Sequence, residues 1–147
     1  MFDLNTLIYV APAIIITVTL HELAHGWVSY KFGDPTPKED GRLSLNPLRH
    51  LDPIGTIALL VAGFGWAKPV HIDPRYYKDA KTGVVWTAFA GPMMNFIIAF
   101  IAVFLYNLLW NGLYGMVSTP LAGHTEAAFQ IMIYLMNLML YTALISL

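Results

Sequence analysis

The chain has 147 residues, of which 57% are hydrophobic and only 12% charged, where soluble domains are roughly 45–50% apolar and about 25% charged. Such a balance leaves a water-soluble fold no surface on which to hide its apolar side chains, so it excludes a disordered, fibrous or ordinary soluble chain and points to a membrane protein. The net charge of −1 provides no basic excess to attract nucleic acid, and the absence of cysteine excludes disulfides, thiolate metal sites and a cysteine nucleophile.

In chain order, the first apolar stretch runs from Leu4 to Tyr30 with one carboxylate, Glu22. It lacks a positive region before it, as the chain opens Met1-Phe2-Asp3, so it reads as a retained segment and not a cleaved leader. Pro12 either opens this helix or kinks it. Gly33-Asp34-Pro35 stops it, because Gly suits the left-handed position after a helix and Pro bars continuation. A short apolar run, Ile54 to Trp66, carries Gly55, Gly63 and Gly65; it is too short to cross and is expected to dip into the membrane and return. Val84 to Trp110, with Gly91-Pro92 inside it, and Ala127 to Leu147 contain no charge, and each exceeds the ~20 residues that cross a ~30 Å hydrocarbon core. The expected fold is therefore an all-α polytopic membrane protein of one domain. Its transmembrane helices lie at about 4–32, 84–110 and 127–147, with a re-entrant or β element at about 54–70.

All eight Lys and Arg residues lie between Lys31 and Lys81. If the short run crossed, its two flanks would divide them equally between the faces. If it returns, all eight share one face and the 111–125 loop on the other has none, which is the arrangement the positive-inside rule favours. The expected topology places the N-terminus outside and the 31–81 region in the cytoplasm.

Within the first stretch stands His21-Glu22-Leu23-Ala24-His25. Residues four apart share a helix face, so both imidazoles can reach one ion. Imidazole nitrogens suit Zn2+, and two His leave room for a third ligand and water. Zn2+ polarises a carbonyl and brings the pKa of water toward ~7, and Glu22 beside the pair can take the proton from an attacking water. Ionisable groups inside a membrane segment are costly unless paired or metal-bound; the competing reading is a hydrogen-bonded structural cluster or proton relay. At ~1.5 Å per residue from Phe32, His25 and His21 lie about 10 and 16 Å deep, so a hydrolase there acts on a bond inside the membrane.

The chain resembles the site-2 protease family of intramembrane zinc metalloproteases, in particular its small bacterial-type members. The resemblance rests on His21-Glu22-Leu23-Ala24-His25-Gly26, Gly41-Arg42-Leu43-Ser44-Leu45-Asn46-Pro47, His50-Leu51-Asp52-Pro53-Ile54-Gly55-Thr56, Gly65-Trp66-Ala67-Lys68-Pro69-Val70 and Ala90-Gly91-Pro92-Met93-Met94-Asn95. It implies three core helices, a re-entrant β element, a catalytic zinc held by His21 and His25, Glu22 as general base, a bacterial cell membrane and a membrane-protein substrate. The family's third ligand is an Asp in a Leu-Asp-Gly motif near the C-terminus, whereas this chain has no Asp after Asp79. Its last helix resembles the approach to that motif and ends on Leu147, so a C-terminally truncated chain with an incomplete zinc site is expected. The alternative is a non-catalytic membrane binding protein of the same fold.

Asn95 follows Gly91-Pro92 and is expected either to contact substrate or to hold the bundle by an interhelical hydrogen bond. Gly65, within a stretch from Ile57 to Val70 that could present an extended edge, is expected to meet an unwound substrate strand. His50, His71 and Asp73 are ligand types in the charged loop, where solvated side chains are normal. His124 lies on the opposite face by the expected topology. Lys78, Asp79 and Lys81 read as a solvated face.

Overall fold

The computed structural model describes residues 4–62, 65–118 and 126–146; Gly63, His124 and Leu147 fall outside them. Among the described residues five helices follow in order: α1 (Leu4–Lys31), α2 (Thr36–Glu39), α3 (Pro53–Ala62), α4 (Ala80–Ser118) and α5 (Glu126–Ser146), with 3-10 turns at Pro47–Arg49 and Pro74–Tyr76. Helices α1, α4 and α5 pack pairwise on one another. Two of them contain segments long and apolar enough to cross a membrane, Leu7–Lys31 and Ala80–Gly112. Among the described residues of α5, Gln130–Thr142 form a further apolar segment.

The helices meet on small side chains. Ala13, Ala24, Ala99 and Ala102 are buried, with Val10, Ile98 and Met136 among them, as expected where close backbone approach replaces the hydrophobic effect in lipid. Tyr9 of α1 stacks on Tyr141 of α5 at 5.9 Å between ring centroids and 8° between planes, and tilts against Tyr134 at 5.4 Å. The outer face is apolar: Val85, Phe96, Phe100 and Phe104 are each more than half exposed. Patches of that kind belong against a membrane or a partner.

The expected stop after α1 is present and has a defined chemistry. Gly33 takes φ 109°, and the amides of Gly33 and Asp34 bond the carbonyls of Tyr30 and Ser29, which is the paired closure of a Schellman motif. Pro12 neither opens nor ends α1 but lies inside it, and Pro92 lies inside α4. Helix α4 also outruns the expected 84–110. It spans 39 residues, roughly 58 Å at ~1.5 Å per residue. Its early start has a cause that the charge pattern concealed: Asp79 accepts from the Lys81 and Thr82 amides and from the Thr82 hydroxyl. It is a helix cap and not merely part of a solvated face.

The expected β character of residues 54–70 needs correction. Residues 53–62 are helical, and the only β pairing among the described residues is an isolated antiparallel bridge between Leu51 and Ala67. Asp52 explains the difference. Its carboxylate accepts from the Gly55 amide at 2.8 Å and its carbonyl from the Thr56 hydroxyl at 2.7 Å, while Pro53 starts the helix without needing its missing N–H. Asp52-Pro53 is thus a helix-start signal. The chain then returns along α3, where Gly55 and Gly65 let the backbones touch: a Cβ on Gly65 would fall 2.7 Å from Leu59 Cβ and closer still to the Gly55 carbonyl oxygen.

Candidate metal centre

His21 and His25 stand one turn apart on α1 and their Nε2 atoms face each other at 3.0 Å. Each ring is held from behind by α4. The Nδ1 of His25 donates to the Thr87 carbonyl at 2.6 Å, and that of His21 to Asn95 Oδ1 at 3.1 Å. A carbonyl can only accept, so the proton of neutral His25 is on Nδ1 and its Nε2 presents a lone pair. With Asn95 turned as it is, the same holds for His21. Two lone pairs directed at one another at 3.0 Å repel unless a cation lies between them.

The space for a cation is set by a glycine. A Cβ on Gly91 of α4 would fall 2.5 Å from His21 Nε2 and closer to His25 Nε2. Bonds of ~2.0–2.1 Å to a tetrahedral Zn2+ place two ligand nitrogens roughly 3.3 Å apart, so a few tenths of an ångström separate the observed pair from that geometry. Hydrogen bonds from the far ring nitrogen are how metal-binding imidazoles are fixed in tautomer and direction. The residues present therefore fit Zn2+ as two of its ligands.

Glu22 points to the loop side, where its Oε2 accepts the Val70 amide at 3.0 Å. Val70 is placed by a buried cation. Arg42 is 3% exposed and its guanidinium donates to the carbonyls of Arg49, Lys68 and Pro69, while the Lys68 amide returns to the His50 carbonyl at 2.9 Å. An Arg fork suits several acceptors at once.

The remaining expected residues divide. Asn95 is brought to the site, on His21 rather than on open space. Gly65 lies elsewhere, in the wall of an apolar cleft of about 240 Å3 that also includes Ala11, Ile14 and Val18 of α1 and Trp66. The possible replacement ligands do not join the His pair. His71 pairs with Asp40 at 3.2 Å and Asp73 with Arg75 at 2.6 Å, while His50 is fully buried with Nε2 on the Ser44 carbonyl at 2.7 Å. Among the described residues no three His, Asp or Glu side chains are grouped to hold a metal. Thr87, Gly91, Val70 and Arg42 were not singled out by sequence reasoning. Gly91 alone carried a signal, since a glycine within an apolar helix often marks a close approach.

The fold and the site define a class: a helical chain with helices long and apolar enough to cross a membrane and a His pair placed to share one cation. The family follows. Residues 9–146 match the model of peptidase family M50, and the chain belongs to that family, in agreement with the site-2 protease resemblance. It is 49% identical over 108 residues to YwhC, a candidate zinc metalloprotease of Bacillus subtilis (strain 168), an alignment covering 74% of this chain and 49% of the relative. It is 27% identical over 103 residues to Rip2, a candidate zinc metalloprotease of Mycolicibacterium smegmatis (strain ATCC 700084 / mc(2)155), covering 66% and 39%. It is 29% identical over 123 residues to the zinc metalloprotease Rip1 of Mycobacterium bovis (strain BCG / Pasteur 1173P2), covering 76% and 30%. The chain thus spans about half the length of YwhC and less of the other two. No solved structure matches it.

Proposed function

We propose that this chain carries the catalytic half-site of an intramembrane zinc endopeptidase that cleaves peptide bonds in or near transmembrane segments of other membrane proteins. The observation that carries the reading is the pair of Nε2 lone pairs held 3.0 Å apart by acceptors on both Nδ1 atoms. His21 and His25 would hold Zn2+, which when bound polarises the scissile carbonyl and acidifies water. The family resemblance assigns the third position to a carboxylate, and none of the described residues supplies one. Glu22 acts as general base: with Oε2 turned to the Val70 amide, Oε1 takes the proton from the attacking water and later gives it to the departing amine. Asn95 orients His21 and is not a substrate contact in this reading.

In this reading α1, α4 and α5 cross the membrane and α3 dips in and returns, so that the site lies within the bilayer and residues 31–81 face the cytoplasm of a bacterial cell; the gathering of all eight Lys and Arg between Lys31 and Lys81 supports it. The cysteine-free chain permits a direct check. Single cysteines at Lys38 and Lys78 should label from the cytoplasmic side and one at Gly123 from the other; labelling of Lys38 and Lys78 from opposite sides removes the re-entrant assignment.

The chemistry is tested by zinc content and cleavage together. His21→Ala should lose zinc. Glu22→Gln, which removes the base but no ligand, should keep the parent's zinc and lose hydrolysis of a membrane substrate by several orders of magnitude. Cleavage undiminished by Glu22→Gln would remove the mechanism. The alternative, a non-catalytic membrane binding protein of the same fold that lacks the third zinc ligand, gains if the protein binds a membrane segment but neither holds zinc stoichiometrically nor cleaves.

A further inference from the structure

One turn beyond His25, toward the end of α1, a row of polar side chains lies sealed between helices. Asp34 and Ser29 are fully buried, Thr87 is 1% exposed and Tyr77 7%. Polar groups buried this way need partners, and each has them. The Ser29 hydroxyl donates to Asp34 Oδ2 at 2.8 Å and lies 2.7 Å from the Tyr77 hydroxyl, which is 3.2 Å from Thr87 Oγ1.

The direction of these bonds follows from the carboxylate. Asp34 also accepts the Thr36 and Asp73 amides, so it is an acceptor throughout and takes the only proton Ser29 has. Ser29 Oγ must then accept from the Tyr77 hydroxyl, and the Tyr77 oxygen from Thr87. The row runs Thr87 to Tyr77 to Ser29 to Asp34, every proton pointing one way, and bonds in such a chain polarise one another. Tyr77, like Asp34, belongs to neither α1 nor α4. It enters from the loop after the turn at Pro74–Tyr76, packs 5.8 Å from the Phe32 ring, and lies flat on the first turn of α4, where a Cβ on Gly83 would fall 2.8 Å from its Cγ.

We propose that Tyr77 is a positioning residue for the His pair. Its hydroxyl bridges Ser29 of α1 to Thr87 of α4 and so sets the height of α4 against α1. The Thr87 carbonyl, on the same residue as the bridged hydroxyl, is thereby held on His25 Nδ1 at 2.6 Å. The bridge acts on a ring that the metalloprotease reading makes a ligand, and to that extent rests on it.

The variants are Tyr77→Phe, which keeps the ring on Gly83, and Thr87→Val, which keeps the shape of Thr87 and its carbonyl. Two quantities are read in detergent-solubilised protein: the side-chain nitrogen resonances of His25 in the metal-free state, and the Zn2+ dissociation constant. In the parent chain His25 should show the Nδ1–H tautomer. Each variant should shift it to a mixture and weaken Zn2+ about tenfold, within the range for outer partners of metal ligands. The double variant should be no worse than either, and Thr87→Ser should restore both readings. A tautomer and Zn2+ affinity unchanged in both variants, with only Tm lowered, would overturn the proposal and leave Tyr77 a structural residue. If the parent chain binds Zn2+ too weakly to titrate, as two His ligands alone allow, the His25 tautomer decides by itself, and a tautomer unchanged in both variants overturns the proposal. Should Tyr77→Phe not fold, Thr87→Val decides alone.

Discussion

The two halves of the site are built in different ways. The His pair stands on α1 and is backed by α4, so its partners are one side chain, Asn95, and one carbonyl, that of Thr87, both fixed in regular helix. Glu22 instead meets an irregular segment, residues 65–73, whose place depends on backbone groups gathered by Arg42. Regular helix delivers direction through spacing alone. The loop half has no period, and one buried cation does the work that hydrogen-bonded regularity does elsewhere. Metal binding and loop placement should therefore fail independently.

The sharpest test of that independence is Gly91→Ala. Alanine favours the helix, so α4 should persist, yet its Cβ would occupy the space between the two Nε2 atoms. Zinc affinity should fall more than 100-fold, about 3 kcal/mol, measured by titration calorimetry, with little loss of helical signal. Zinc binding as in the parent chain would mean that the cation does not sit where the two imidazoles converge.

Arg42→Ala strikes the other half. It leaves the carbonyls of Arg49, Lys68 and Pro69 without their donor, which for buried acceptors costs about 2 kcal/mol. Trypsin should cut after Arg49, whose carbonyl Arg42 holds, at least tenfold faster, while zinc affinity changes less than twofold. If zinc weakens as much as in Gly91→Ala, the halves are one unit and the contrast fails.

A smaller effect concerns the joint between them, at Asp34. Burial alone would raise its pKa, but hydrogen bonds from Thr36, from the Asp73 amide and from Ser29 outweigh it and hold the carboxyl below its usual 3.8. A carboxyl depressed in the folded state contributes stability that is complete above its unfolded pKa and is lost as pH falls through the lower folded value. The Asp34 contribution should thus leave Tm level from pH 7 to 5 and lower it only below about pH 4. Asp34→Asn should reduce stability at neutral pH by about 1–2 kcal/mol and flatten that acid limb. The check is thermal unfolding in detergent across the range; an acid limb unchanged by Asp34→Asn would place its origin elsewhere.

Much of the fold could be read from residues near one another in the chain. The uncharged stretches show in composition, because a lipid-facing helix must be apolar on every side. The stop at Gly33 and the His pair show in spacing, because a helix puts residues four apart on one face. The β element that the resemblance implies for residues 54–70 gives way to helix α3, which the Asp52-Pro53 start sets. In a short apolar run, periodicity does not separate helix from strand, and only the cap chemistry decides.

What the sequence by itself determined was the apolar helical character and the identity of three chemically apt side chains, His21, Glu22 and His25, all within five residues of one helix. What only the tertiary structure decided was everything that points at them. Asn95, Thr87 and Gly91 reach the His pair from α4, and Val70 reaches Glu22 under the hold of Arg42. These partners are dozens of positions away in sequence, and three of the contacts are made by backbone or by the absence of a side chain. A carbonyl and an amide are the same in any residue, so the letters of Thr87 and Val70 carry no mark of the task, and Gly91 signals a close approach without saying to what; the task arises from how α4 and the loop pack on α1.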